Sequence, residues 1–254
     1  MSSSRLNQIA GHLNSPKGLL ADQVAIVTSS GQGIGAKCAR LFANEGAKVV
    51  ISDIDGVKAN DFAEKINASS GEALAVAGDL LNDKYIKELV KKFADFGGGK
   101  IHITVNNAGF TWDAVIHKLI REAAPYFRVK DGEPRNILNY AIAKASVVGL
   151  TKTIAKEWGP AFGVRANTIA FGHIETRLTA NKEAGAFVEV DGQKVALGIP
   201  EKQKAAGGPV PFQDIPLRRP GSATKAASAI LAIASPLSAY ITGQIICVTG
   251  GRNM

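Results

Sequence analysis

The chain predicts an α/β fold, a single domain on a doubly wound parallel sheet with helices on both faces. Three observations carry this. After Asp22, short apolar runs alternate with amphipathic stretches, the pattern of strands joined by crossover helices. The first run, VAIVT, leads directly into a glycine-rich turn. A chain of 254 residues, 46% of them apolar, can fill one large core.

In order, strands are expected at Val24–Thr28, Lys48–Ser52, Ala73–Ala77, Ile101–Asn106, Val164–Ile169 and Gln244–Val248. VAIVT, KVVIS and ALAVA are near-continuous apolar runs, as strands covered on both faces must be. Helices are expected at Gly33–Glu45, Val57–Ala68, Asp83–Phe96, Tyr140–Trp158 and Ala223–Ala234, with right-handed connections. Residues 177–222 break this rhythm with several glycines and prolines, including GGPVPF and RRPG. A long irregular segment after a strand end reads as a substrate lid. Residues 1–20 read as an N-terminal extension, acid-free and Ser-rich, with Leu6, Ile9, Ala10 and Leu13 at helical spacing. A mitochondrial presequence is the alternative reading. Residues 21–254 form the single predicted domain.

Composition narrows the function classes. The formal net charge of +8 is spread along the chain without a basic block, which argues against a nucleic-acid partner and for a surface that welcomes anionic cofactors or substrates. No apolar run reaches the length of a membrane span. Cys38 and Cys247 read as buried thiols in a reducing compartment. The four histidines lack ligand spacing, so no metal site is expected.

The glycine loop carries the first chemistry. Gly31, Gly33 and Gly35 follow a strand and open a helix. Glycines let the backbone approach a pyrophosphate, and the helix N-terminus supplies free N–H groups and positive potential. Asp53 closes the second strand, where a carboxylate accepts hydrogen bonds from ribose hydroxyls and repels a 2′-phosphate. NAD is therefore expected in preference to NADP. Asp55, close by, reads as a solvated loop acid.

With these residues in place, the chain from Ala21 onward resembles the short-chain dehydrogenase/reductase family, and within it the 3-oxoacyl-acyl-carrier-protein reductase-like members. TSSGQGIG at 28–35 is similar to that family's cofactor loop, which makes Ser29, Gly31, Gly33, Ile34 and Gly35 cofactor residues. Asp79-Leu80 resembles its adenine-contacting pair. NNAG at 106–109 matches its central-strand motif, through Asn107, Ala108 and Gly109. FGHIET at 171–176 resembles its carboxamide-binding segment, through Ile174 and Thr176. Tyr140 and Lys144 resemble its catalytic pair. The resemblance implies a Rossmann-type fold and a homo-oligomer, tetramer or dimer. It also implies hydride transfer between NAD(P)(H) and a small-molecule ketone or secondary alcohol, possibly a 3-oxoacyl thioester. The expected location is cytoplasmic, with the mitochondrial matrix as alternative. Trp158 reads as core, or as an oligomer contact by the resemblance.

Two departures matter. Ser29 stands where the family has the loop's first glycine, a change that a negative φ accommodates. Between Gly109 and Tyr140 the chain offers only FTWDAVIHKLIREAAPYFRVKDGEPRNILN, so the stretch from strand four to strand five is shortened. A helix at Asp113–Ala124, a KDGEPR turn and a strand at Asn136–Leu138 use it up. The family's strand-five serine and its N-x-x-G asparagine have no counterpart, since residues 110–145 contain no Ser. Three accounts stand, in this order. The sequence is incomplete here; or a shortened protein binds NAD without efficient turnover; or another hydroxyl, Thr111 or Tyr126, replaces the serine.

For Tyr140 and Lys144 the chemistry is electrostatic. A free tyrosine, with a pKa near ~10, is a poor base at neutral pH. Lys144, one helical turn on, favours the phenolate and can hold the nicotinamide ribose. Tyr140 then serves as general acid in ketone reduction and general base in alcohol oxidation.

Overall fold

The computed structural model describes residues 18–109, 137–177, 179–180, 187–190, 193–196 and 212–252; for 137–145, 188–190 and 193–196 it describes the backbone alone. These residues group into two compact units. One holds the described residues up to Ala108, those of Phe171–Ala239 and those from Cys247 onward. The other holds those of Gly109–Ala170 and Tyr240–Ile246.

The first unit begins as an unbroken β–α alternation: β1 (Val24–Thr28), α1 (Gly33–Asn44), β2 (Lys48–Asp53), α2 (Gly56–Asn67), β3 (Glu72–Ala77), α3 (Asp83–Phe96) and β4 (Ile103–Val105). The four strands form a parallel sheet in the order β3-β2-β1-β4. All five residues of β1 are buried, as expected of a central strand covered on both faces. The order reverses between β1 and β4, and the crevice beyond their carboxyl ends is where such sheets bind ligands.

Local chemistry sets the helix starts. Asp55 caps α2 by accepting from the Lys58 N–H at 3.1 Å, and Asn82 caps α3 by accepting from the Lys84 N–H at 3.0 Å. Each supplies an acceptor to a donor that the helix itself leaves unpaired. Helix α3 turns Tyr85, Leu89 and Phe93 inward onto Val24, Ile26, Val50 and Val76. The Tyr85 hydroxyl donates to the Val76 carbonyl at 2.7 Å and lies 2.9 Å from Ser52 Oγ, so its buried oxygen is satisfied.

Cys38 and Cys247 part company. Cys38 is fully buried in α1, whereas Cys247 is exposed, because its strand, described next, presents that position outward. Burial pushes the Cys38 thiol from its ordinary 9.0 up to about 12. The unfolded thiol ionises near 9 while the folded one keeps its proton, so stability is lost as pH rises from about 9 toward 12. Urea unfolding at increasing pH should show this decline, and Cys38→Ala should flatten it. An unchanged slope in the variant would refute the assignment.

The later elements are α4 (Ile137–Phe162), β5 (Thr168–Phe171), β6 (Ile174–Glu175), β7 (Phe187–Val190), β8 (Gln193–Ala196), β9 (Gly221–Ser222), α5 (Ala223–Ala234), a 3-10 turn (Pro236–Ser238) and β10 (Ile245–Val248). β5 pairs with β10, and β6 pairs in parallel with β9. In the first unit α5 packs on α1; Ala39, Ala226 and Ala227 are fully buried there, and small side chains let helices approach.

Five expectations change. Ile137 and Leu138 are helical, the first residues of α4, so no strand occupies 137–138. ILNYAIAKAS contains no helix breaker, and propensity carries the helix back through it. Asn136 and the expected helix at Asp113–Ala124 lie outside the described residues. At its other end α4 runs past Trp158 to Phe162, and Gly163, at φ 66°, ends it in the left-handed manner that glycine permits.

The strand expected at Val164–Ile169 is displaced to Thr168–Phe171. The residues before it are held by side chains instead of a ladder: Asn167 Nδ2 donates to the Ile241 carbonyl at 2.8 Å, and its Oδ1 accepts from the Gln244 N–H at 3.1 Å. Segment 177–222 is not wholly irregular. β7 and β8 form an antiparallel pair with Val190 opposite Gln193, and Asp191-Gly192 between them is a sequence suited to a tight hairpin. Finally, Trp158 is 50% exposed, edge-on to Phe162 at 6.3 Å, and is not core.

Candidate functional site

The glycine loop bridges β1 and α1 at the sheet's reversal point. Ser30, fully buried, anchors it: its hydroxyl donates to the Val27 carbonyl at 2.6 Å and its N–H to the Ser52 carbonyl at 3.1 Å. Gly31 N–H donates to Asp53 Oδ2 at 2.9 Å. Gly33 has φ 64°, and a Cβ there would meet nothing within 4 Å, so open space lies over the helix start. α1 has no side-chain cap and no acid in its first turn. Its leading N–H groups and positive end are therefore available to an anion. Gly35 is the opposite case, because a Cβ would sit 2.3 Å from the Ser29 carbonyl oxygen and 2.7 Å from Asn107 Nδ2. Ile34, between them, is half-buried.

Ser29 has φ 52°, against the negative value that its substitution for glycine requires. The loop needs a left-handed residue here, and a side chain in that region costs about 1–2 kcal/mol. Ser29→Gly is accordingly expected to stabilise the protein by about 1 kcal/mol, after the entropy that glycine adds to the unfolded chain. Thermal or urea unfolding measures this, and a destabilised variant would contradict it.

Asp53 is 5% exposed. Besides Gly31, it accepts from the Asp55 N–H through Oδ1 at 3.1 Å, so this carboxylate fixes the loop. Asp55 is not simply a solvated acid. It caps α2 and forms an ion pair with Lys58, which holds its carboxyl below the usual range. Asp79 Oδ1 accepts from the Leu81 N–H at 2.9 Å, an Asx turn that shapes the β3 exit. Leu80 packs against the core cluster.

A tie across the reversal point joins β1 to the NNAG motif. Thr28 Oγ1 accepts from the N–H groups of Asn107 (3.0 Å) and Ala108 (2.9 Å). Asn107 Nδ2 in turn donates to the carbonyls of Thr28 (3.0 Å) and Ser29 (3.2 Å). Thr28 is a supporting residue that the motif reading passed over; a hydroxyl at the last strand position before the glycine loop was its signal. Arg177 was also passed over. Partial burial lowers its guanidinium pKa, while the negative charges of Asp53 and Asp55 oppose the shift. Such proximity is a long-range property that spacing cannot disclose.

Ile174 is buried in β6. Thr179 Oγ1 donates to its carbonyl at 2.7 Å and accepts from the Thr176 N–H at 2.9 Å, holding the turn after the strand. Gly172 passes so close to β10 that a Cβ would lie 2.8 Å from Thr249 Cα. His173 packs edge-on against Phe212 at 5.3 Å. Gly109 is exposed and groups with the second unit, as do Tyr140 and Lys144. The last two are backbone positions of α4 four residues apart, about one turn. The structure thus brings together Ser29, Gly31, Gly33, Ile34, Gly35, Asp53 and Asn107 around one loop.

Comparison with known proteins agrees with this architecture. Residues 23–125 match the family model for short chain dehydrogenase, and residues 126–253 match that for enoyl-(acyl carrier protein) reductase. A 3-oxoacyl-acyl-carrier-protein reductase of Thermotoga maritima is 30% identical over 91% of this chain and 98% of its own. One from Synechocystis sp. is 32% identical over 92% of this chain and 98% of its own. The structure of 7 alpha-hydroxysteroid dehydrogenase complexed with NADH and 7-oxo glycochenodeoxycholic acid superposes with a TM-score of 0.73. It is 26% identical, with 94% of this chain and 97% of that one covered. With its glycine loop at the reversal point of a 3-2-1-4 sheet, this chain belongs to the short-chain dehydrogenase family and is an oxidoreductase.

Proposed function

We propose that the protein interconverts a ketone and a secondary alcohol with NAD(H) as its preferred cofactor, a 3-oxoacyl thioester being one candidate substrate. The observation that carries this is the buried Asp53 carboxylate bonded to the Gly31 N–H. It puts a negative charge at the glycine loop itself, where it repels a 2′-phosphate. The bound dinucleotide would supply or accept the hydride. The glycine loop and uncapped α1 would hold its pyrophosphate, Asp53 its ribose, and the Ile174–Thr176 backbone its carboxamide side. Tyr140 would give the ketone oxygen a proton, with Lys144 lowering the phenol's pKa.

The relatives named 3-oxoacyl-acyl-carrier-protein reductase and 7 alpha-hydroxysteroid dehydrogenase support the reaction class. The exposed Trp158, Phe162, Tyr240 and Ile245 support a homo-oligomer, since such apolar surface seeks a partner. Among the described residues no helix is long and apolar enough to cross a membrane. We place the protein in the cytoplasm, with the mitochondrial matrix as the alternative that the N-terminal composition supports.

NADH is expected to bind at least about tenfold more tightly than NADPH, and Asp53→Asn should narrow that gap by about tenfold, or ~1.4 kcal/mol. Arg177, in the field of Asp53 and Asp55, would be left as an attractive charge. Fluorescence titration of both cofactors measures it, and equal affinities in the unaltered protein would sink the NAD assignment. A second reading, cofactor binding with slow turnover, rests on the absence of Ser from residues 110–145. The Thermotoga alignment spans 264 positions, more than the 254 residues here, so that relative has residues without counterpart. Ketone-dependent NADH oxidation separates the two readings.

A further inference from the structure

Beside Asp53, the turn after β2 holds a second carboxylate and a cation in an arrangement that a helix cap alone does not need. The Asp55 N–H donates to Asp53 Oδ1 at 3.1 Å, which ties the two acids together. Asp55 then divides its own carboxylate. Its Oδ1 accepts from the Lys58 N–H at 3.1 Å, capping α2, while its Oδ2 forms an ion pair with the ammonium of the same lysine. Capping takes one oxygen, and an uncharged Asn or Ser serves it as well as Asp. What the charge of Asp55 adds is the hold on Lys58.

The position of Lys58 gives that hold a consequence. A Cβ built at Gly31 would lie 3.0 Å from Lys58 Cβ and 3.1 Å from Asp53 Oδ2. The lysine stem and the Asp53 carboxylate therefore flank the same point of the glycine loop, where the Gly31 N–H donates to that Oδ2 at 2.9 Å. In dinucleotide-binding sheets the acid at this place meets the ribose hydroxyls, and a cation nearby accommodates a 2′-phosphate. Lysine carries its ammonium on a flexible four-carbon stem. From this Cβ the ammonium can turn either to Asp55 or to the space beside Asp53, and in the structure it is on Asp55.

We propose that Asp55 is a positioning residue for cofactor specificity: it keeps the Lys58 ammonium from a 2′-phosphate and leaves the Asp53 charge unopposed at the ribose. This rests on the reading of Asp53 as the ribose-binding acid. It adds that the chain already holds the cation an NADP site needs, one ion pair away from use. The two side chains are 47% and 35% exposed, so the hold is modest, and its release shifts the preference without inverting it outright.

The test is a fluorescence titration of NADPH and NADH against the full chain in four forms: unaltered, Asp55→Asn, Lys58→Gln and the double variant. Asn keeps the cap and removes the charge. Asp55→Asn should raise the NADPH-to-NADH affinity ratio by about fivefold. In the double variant the ratio should return to within about twofold of its Lys58→Gln value, because the two changes act through one contact. An unchanged ratio in Asp55→Asn overturns the proposal. So does a gain that persists without Lys58, which would come from overall charge or from Arg177, also in the field of Asp53 and Asp55. A purely structural cap would move the unfolding midpoint and both affinities together with the ratio constant, and that result also counts against it. Equal affinities of the unaltered protein for the two cofactors would overturn the NAD reading instead, while the coupling between positions 55 and 58 in NADPH affinity would still decide this proposal.

Discussion

Tyr140→Phe is expected to lower kcat for ketone reduction by about 10²–10⁴-fold while leaving NADH affinity within about twofold. The phenyl ring keeps the size and removes only the proton that the ketone oxygen needs as hydride arrives. Backbone positions 140 and 144 of α4 stand about one turn apart, which allows the Lys144 charge to favour the phenolate. Lys144→Met should therefore also shift the alkaline limb of the pH–rate profile upward, since the tyrosine loses its stabilising neighbour. Loss of an interaction made only in the transition state lowers kcat and kcat/KM together. Steady-state kinetics with a panel of small ketones, alongside NADH fluorescence, reads out both quantities. A variant within threefold of the unaltered kcat would remove Tyr140 from the chemistry. An unaltered protein that binds NADH but turns over no ketone would instead favour the slow-turnover reading.

The geometry of the glycine loop was legible because its logic is local. Strand, glycines, helix and acid follow one another within a single β–α–β unit, and each needs only its neighbours in sequence. The structure places Gly31, Gly33, Gly35 and Asp53 where that logic puts them. The sign of φ at Ser29 was not legible, because it is imposed by the loop's need to reach Asp53, Ser52 and Asn107 together. Tertiary bonds overrode the side chain's own preference. Neither Thr28's tie to Asn107, nearly eighty residues on, nor the field of Asp53 on Arg177 leaves a local signature. The start of α4 shows the complementary failure. A strand was assigned to Asn136–Leu138 by matching a family order of elements, although the residues from Ile137 onward favour helix. Residue-level propensity outranked the borrowed template there. The β7–β8 pair was missed because the surrounding glycines and prolines masked a short alternating stretch.

Within the glycine loop, Gly35→Ala should be the single-methyl change most damaging to NADH affinity. The new Cβ would lie 2.3 Å from the Ser29 carbonyl oxygen, 2.7 Å from Asn107 Nδ2 and 3.0 Å from the Ser29 carbonyl carbon. Two of these atoms are backbone, so no rotamer relieves the contact. Ser29 is already in the left-handed region and has little room to yield. The third atom belongs to the side chain that ties β4 to the loop through Thr28 and Ser29. Either the loop lifts off the helix start or the tie opens. Overpacking of this kind costs about 1–3 kcal/mol, and a displaced loop no longer aims its N–H groups at the pyrophosphate. NADH affinity should fall by about a hundredfold or more, equivalent to at least ~2.7 kcal/mol. Gly33→Ala separates sterics from backbone freedom, because its Cβ meets open space while its φ is 64°. That variant should lose stability by about 1 kcal/mol with a smaller loss of NADH affinity. Paired titrations and unfolding curves of the two variants test the distinction. If both lose affinity equally, the close approach at Gly35 is not what shapes the cofactor site.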